Sequence, residues 1–170
     1  LRIPKWATGE NSLSLNGKLQ PIESTAGIYV EIARTWQSGD TFELKLSMHP
    51  WSRQSMDDPQ RWSFFSGPVL LAAALGDDAM PPSDTGDKWL GLRVDGKADG
   101  EPTAAYDRVP VLLADDPGDP AACVKALPEK PLQFQAAGRV AGQSTNVTLC
   151  PLYKIHHQRF AVYLNVIPAH

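Results

Sequence analysis

Hydrophobic and polar residues alternate with a period of two along much of this chain. In TFELKLSM (41–48), Phe42, Leu44, Leu46 and Met48 fall on one side and Thr41, Glu43, Lys45 and Ser47 on the other. Successive side chains of a strand point to opposite faces, so this segment predicts a half-buried strand. GIYVEIARTW (27–36) repeats the pattern with Ile28, Val30 and Ile32 inward, and QSGD (37–40) supplies a turn, so the two segments predict an antiparallel hairpin. SLSLNGKL sets Leu13 and Leu15 on one face ahead of Asn16-Gly17, the dipeptide best suited to positive φ at both centres of a type I′ turn. A second hairpin is expected there. Near the C-terminus Val147 and Leu149 alternate with Asn146, Thr148 and Cys150, and Phe160, Val162, Leu164 and Val166 mark one face of a last strand. LQFQAAGRV (132–140) adds a weaker alternation of Leu132, Phe134 and Ala136.

SGPVLLAAALG (66–76) fits two templates. Its Pro near the first turn and terminal Gly suit a short helix, whereas eight uninterrupted apolar residues suit a strand buried on both faces, and the short length favours the strand. Between 77 and 143 Gly, Pro and Asp dominate, with short apolar pieces such as VPVLLA (109–114) between them. Fifteen prolines in 170 residues argue against long helices. The expected fold is all-β: an antiparallel, jelly-roll-like β-sandwich made by residues 1–76 and 144–170, with 77–143 inserted as a smaller, loop-rich β subdomain.

Composition narrows the function classes. With 42% hydrophobic and 21% charged residues the chain is an ordinary globular one rather than a disordered or fibrous one. A formal net charge of −3 leaves no electrostatic footprint for nucleic acid, and no apolar run approaches the ~20 residues that span a bilayer. The opening LRIPKWA lacks an initiator Met and a basic lead, and reads as a piece of a longer polypeptide. Cys123 and Cys150 fit neither a C-x-x-C nor a zinc-ligand spacing. Two separate thiols or one disulfide both remain open.

LRIPKWA, NGK, GIYVEIARTWQSGDTFELKLSM, FFSGPVLLAA and LCPLYKIHHQRFAVYL follow one another in an order that resembles the C-terminal β-region of the bacterial β-L-arabinofuranosidases of glycoside hydrolase family 127 and its relative, family 146. R-x-W-x-x-G-D (34–40) and G-P-x-x-L-A (67–72) are the most distinctive pieces. Leu152 and His157 depart from the family pattern, where an aromatic residue and an Asp are common. The resemblance implies a main β-sandwich interrupted by a smaller one, and an active site in an upstream (α/α)6 barrel with a zinc-bound cysteine nucleophile and a glutamate acid/base. No catalytic residue, metal ligand or cofactor transfers to this chain. It is expected to be a non-catalytic accessory region packing against and stabilising that upstream catalytic domain, in a parent secreted or periplasmic in a bacterium. The alternative is a self-standing carbohydrate-binding module for plant-type arabino-oligosaccharides.

His156, His157 and Arg159 stand out in YKIHHQRFAVYL. Adjacent strand residues point apart, which disfavours one metal ion held by both imidazoles, and no neighbouring nucleophile or carboxylate suggests catalysis. A structural role at the entrance to the last strand is expected, with a contact surface as the second reading. An exposed indole or phenol suits the C–H face of a sugar ring, although most Trp residues in β domains serve packing. Trp51, in the polar HPWSRQSMDDPQ, is the better binding candidate than Trp36, which sits beside a turn. Candidate contacts with carbohydrate or a neighbouring domain are therefore Trp51, Tyr106, Tyr153, His156, His157 and Arg159. The paired acids Asp57-Asp58, Asp77-Asp78 and Asp115-Asp116 read as turn residues rather than a glycosidase pair or a calcium site.

Overall fold

The computed structural model describes residues 1–23, 25–76, 108–156 and 158–170. They divide into two compact units: Leu1–Trp51 with Phe65–Val69, and Ser52–Phe64 with Leu70–His170.

The first unit holds a three-stranded sheet of β1 (Ser12–Leu15), β2 (Lys18–Gln20) and β3 (Phe42–Lys45), in spatial order β2-β1-β3. Asn16 and Gly17 join β1 to β2 with φ of 48° and 75°, the positive pair that an Asn-Gly type I′ turn requires. Leu13 is buried, and Ile3 and Ala7 are fully covered. Backbone bonds from Ile3 to the Ile28 carbonyl and from Gly27 to the Ile3 carbonyl, both 2.9 Å, tie the N-terminal segment to residues 27–30.

The expected hairpin between 27–36 and 41–48 is not formed. Residues 27–36 hold only the isolated bridge of Tyr29 with Arg2, while β3 pairs with β1 in the register Leu13 with Leu44 and Leu15 with Phe42. The Asn16 amide donates to the Thr41 carbonyl, and Thr41 N–H donates to the Asn16 side-chain oxygen, both at 2.8 Å. These bonds align β3 with β1.

The remaining strands are β4 (Pro50–Gln54), β5 (Arg61–Ser66), β6 (Val69–Gly76), β7 (Val111–Ala114), β8 (Lys125–Ala126), β9 (Phe134–Val140), β10 (Gln143–Pro151), β11 (Arg159–Ala161) and β12 (Leu164–Pro168). Six of them close on themselves in the order β5, β6, β10, β9, β7, β12, with the β12–β5 pairing completing the ring. β4 pairs with β5, β11 with β6 and β8 with β9 outside that ring. The chain is thus all-β as expected, but a closed barrel replaces the plain sandwich, and β7 and β12 run parallel through Asn165 opposite Val111 to Pro168 opposite Ala114. Alternation specifies which side chains turn inward and is silent on which strand meets which, so one pattern suits either architecture.

Each ring strand sends two residues, spaced by two, into the interior: Trp62 and Phe64, Leu71 and Ala73, Leu112 and Ala114, Phe134 and Ala136, Val147 and Leu149, Leu164 and Val166. These side chains fill the small bore. Gly138 marks a close approach, because a Cβ there would lie 2.7 Å from both the Val111 carbonyl oxygen and a Val147 methyl.

The segment expected as one strand from 160 to 166 is divided. β11 pairs with β6 and turns Ala161 toward the core, and after a bend at 162–163 β12 turns Leu164 and Val166 inward. The inward parity switches across the bend, leaving Phe160 half exposed. Residues 77–143 read as an inserted subdomain. Of these, 77–107 lie outside the described residues, and 108–143 supply β7, β8 and β9 to the sheet that also contains β10 and β12. The Asp- and Gly-rich stretch 115–119 is a connection that follows β7.

Leu112 is 0% exposed, so Leu112→Ala is expected to destabilise unit 2 by about 2–5 kcal/mol in denaturant unfolding. Gly138→Ala is expected to cost about 1–3 kcal/mol through overpacking. Thr148→Ala on the outward face of β10 should stay within about 0.5 kcal/mol of the parent chain.

Candidate functional site

The candidate residues are divided between the two units, and two of them lie outside the described residues. Trp51 belongs to the first unit, where its ring stacks on Phe65 at 4.3 Å and 12° and its Nε1–H donates to the Gly67 carbonyl at 2.8 Å. One ring face and the only polar atom of this indole are thereby occupied. Tyr153 lies in a 3-10 turn, Leu152–Lys154, and is 58% exposed. His156 is exposed in the loop that follows, next to Ile155, which is buried and whose amide donates to the Leu152 carbonyl at 3.0 Å. Arg159 opens β11 opposite Gly76 and is half-buried. Tyr106 and His157 lie outside the described residues, as do Asp77 and Asp78.

A more organised arrangement stands in the first unit, around the R-x-W-x-x-G-D stretch. The Asp40 side chain, 9% exposed, accepts the Gln37 amide at 2.8 Å, the Asn16 side-chain amide at 2.7 Å and an Arg34 guanidinium nitrogen at 2.9 Å. Arg34 in turn lies over the Trp36 ring, 5.4 Å from its centroid, in a cation–π contact. Asn16 therefore joins three pieces: the β1–β2 turn, Asp40 and the start of β3 through Thr41. The motif is visible in the sequence, where Trp36 beside its turn is a weaker binding candidate than Trp51 in its polar stretch. The missed signal was the spacing of Arg34, Trp36 and Asp40, which lets one carboxylate close the loop on itself.

The bond from Asn16, then that from the Gln37 amide, hold the Asp40 carboxyl below the usual aspartate range; desolvation opposes them, and the Arg34 charge adds the smallest contribution. A second, local case is Asp57, lowered first by the hydroxyl of Ser55. Also in the first unit, Ser47 Oγ and His49 Nε2 lie 2.5 Å apart, and the Ser47 amide donates to the buried Asn11 side chain at 2.9 Å.

Unit 2 carries a groove of about 560 Å³ lined by Leu113, Asp115, Asp119, Cys123, Lys125 and Gln135 among others. Cys123 donates its thiol to the Pro120 carbonyl at 2.9 Å, and burial pushes its pKa up, with Asp115 and Asp119 adding to the effect. Burial also raises Cys150, against a smaller opposing effect of Lys154. Both cysteines are free thiols. Among the described residues no group of three or more His, Cys, Asp or Glu side chains is placed to hold a metal ion.

Comparison with known proteins places this geometry. Residues 52–166 match a family described as a domain of unknown function, DUF4986, and residues 1–48 match the middle domain of β-L-arabinofuranosidases of glycoside hydrolase family 127. No curated protein matches the chain. Among solved structures, a glycoside hydrolase matches at 17% identity and a TM-score of 0.60, over 97% of this chain and 27% of its own. A family 127 β-arabinofuranosidase matches at 20% identity and a TM-score of 0.55, over 98% and 27%. A family 127 β-L-arabinofuranosidase from Geobacillus stearothermophilus T6 matches at 15% and 0.53, over 98% and 26%. At these identities the likeness is one of fold, and the chain spans about a quarter of the length of these proteins.

Two outcomes are expected. A folded-state pKa below the unfolded value means that the Asp40 contribution is complete above the usual aspartate range and lost as pH falls through the lower folded value. A carboxyl NMR titration should therefore place Asp40 below free aspartate, and Asn16→Ala should move it back up. Both thiols should react with a disulfide reagent at pH 8 more slowly in the folded chain than after unfolding, because less of each is thiolate.

Proposed function

The chain belongs, over residues 52–166, to the DUF4986 family, preceded by a segment of glycoside hydrolase family 127 type, and from that premise we propose that it is a non-catalytic accessory β-region of a β-L-arabinofuranosidase-like glycoside hydrolase. Its task is mechanical: it packs against the catalytic domain of the same parent polypeptide and stabilises it. The observation that carries this reading is the asymmetry of coverage, nearly all of this chain against about a quarter of each matched enzyme. A region conserved as a fold inside a much longer enzyme fits the role of a support.

The packing of the barrel is consistent with that role. Its inward positions carry Trp62, Phe64, Leu71, Leu112, Phe134, Leu149 and Leu164, apolar side chains suited to stability and unsuited to proton transfer. Trp51 is engaged by Phe65 and Gly67, which favours packing over sugar stacking for that indole. The parent is read as bacterial and exported, and its substrate as a plant-type arabinoside.

The isolated chain is expected to leave aryl β-L-arabinofuranosides intact, and its Trp fluorescence to show no saturable change with arabino-oligosaccharides. Deleting this region from the parent should lower the melting temperature of the catalytic domain. Hydrolysis by the isolated chain would overturn the assignment, and saturable quenching would favour a carbohydrate-binding module.

A further inference from the structure

The loop that carries Trp36 is built more firmly than its surroundings require. Residues 30–41 contribute no strand to either sheet, yet Asp40 gathers three donors, Asn16 bridges Asp40 and Thr41, and Arg34 is fixed between Asp40 and the indole. At the end of this chain of contacts Trp36 is 49% exposed. A single ion pair at the surface, with its guanidinium 28% exposed, adds only modestly to folding stability. What it does accomplish is to hold a large aromatic face in one orientation, which lowers the ordering cost of any partner that covers it.

The chemistry of the loop discriminates between partners. A saccharide site needs hydrogen-bonding groups converging beside the aromatic face to meet the sugar hydroxyls. Here the Asp40 carboxylate, the Asn16 amide and the Arg34 guanidinium are engaged with one another or with loop backbone, and the Arg34 charge is matched by Asp40. What is left to offer is a locally neutral indole backed by an arginine, and Trp and Arg are the residue types enriched at the energetic centres of protein interfaces. A protein surface fits this presentation better than a sugar does.

We infer that the Arg34–Trp36 loop is the anchor through which this region docks on the catalytic domain of its parent polypeptide, an inference that rests on the accessory-region reading above. Two observations select that occupant. The loop lies within residues 1–48, which match a domain described as a middle one, and the matched enzymes hold about three quarters of their length outside the part that this chain covers.

Hydrogen exchange compares the 170-residue chain with the full parent polypeptide, with the amides of Leu112, Leu149 and Val166 as internal controls of folding. The amides of residues 34–42 are expected to exchange at least tenfold more slowly in the parent. Trp36→Ala in the parent should abolish that difference and leave the controls unchanged, while Trp36→Phe should keep part of it. Slowing confined to another surface would overturn the anchor and leave the accessory reading intact. Equal exchange everywhere would overturn both. Slowing of residues 34–42 in the isolated chain on adding arabino-oligosaccharide would overturn the anchor in favour of a sugar site.

Discussion

Closure of one sheet on itself is the constraint on which unit 2 depends. Six short strands each hide two side chains, and an open sheet of that size would leave two long edges and one apolar face exposed. The ring removes the edges, and the side chains of Leu112, Leu149 and Leu164 meet in its interior. The pairing of β12 with β7 matters most, because it brings the C-terminal strand beside residues 111–114 in parallel, where no hairpin could place it. The bend at 162–163 follows from the same demand. β11 must satisfy β6 while β12 satisfies β5 and β7, and one straight strand cannot reach all three.

The inward positions were legible in the sequence, since a period of two survives any choice of partners. Val147, Leu149, Phe134, Ala136, Leu164 and Val166 were all read from alternation and all face the core. The Asn16-Gly17 turn was legible too, because the need for positive φ is local. Of the run 66–76, Val69–Gly76 forms a strand, while Ser66 ends β5 and 67–68 make the turn between the two. What could not be read was pairing. Ile28, Val30 and Ile32 alternate as a strand would, but Asn16 and Thr41 give β3 to β1, and the expected hairpin loses its partner. Alternation alone puts Phe160 on the inward face, because the bend that switches parity leaves no local signature.

The candidate site was partly legible in the same way. Arg34, Trp36 and Asp40 could be picked out as a motif, but the three donors that converge on Asp40 come from residues as far away as Asn16. Trp51 drew attention because its neighbours in sequence are polar, yet its neighbours in space are Phe65 and Gly67. A polar sequence context therefore favours the half-buried, stacked indole over the more exposed one. Among the described residues, three aspartates are engaged in holding loops: Asp40 at one turn, Asp57 with Ser55, and Asp116 with the Gly118 amide at 2.8 Å.

Barrel closure is tested most directly by backbone NMR of the chain. Amide and Hα cross-peaks are predicted between the parallel pair Val111–Ala114 and Asn165–Pro168, together with those between β5 and β6, so that interstrand contacts run round the ring without a gap. Cross-peaks that divide into two separate sheets, with β12 distant from β7, would contradict the closed barrel and restore a sandwich.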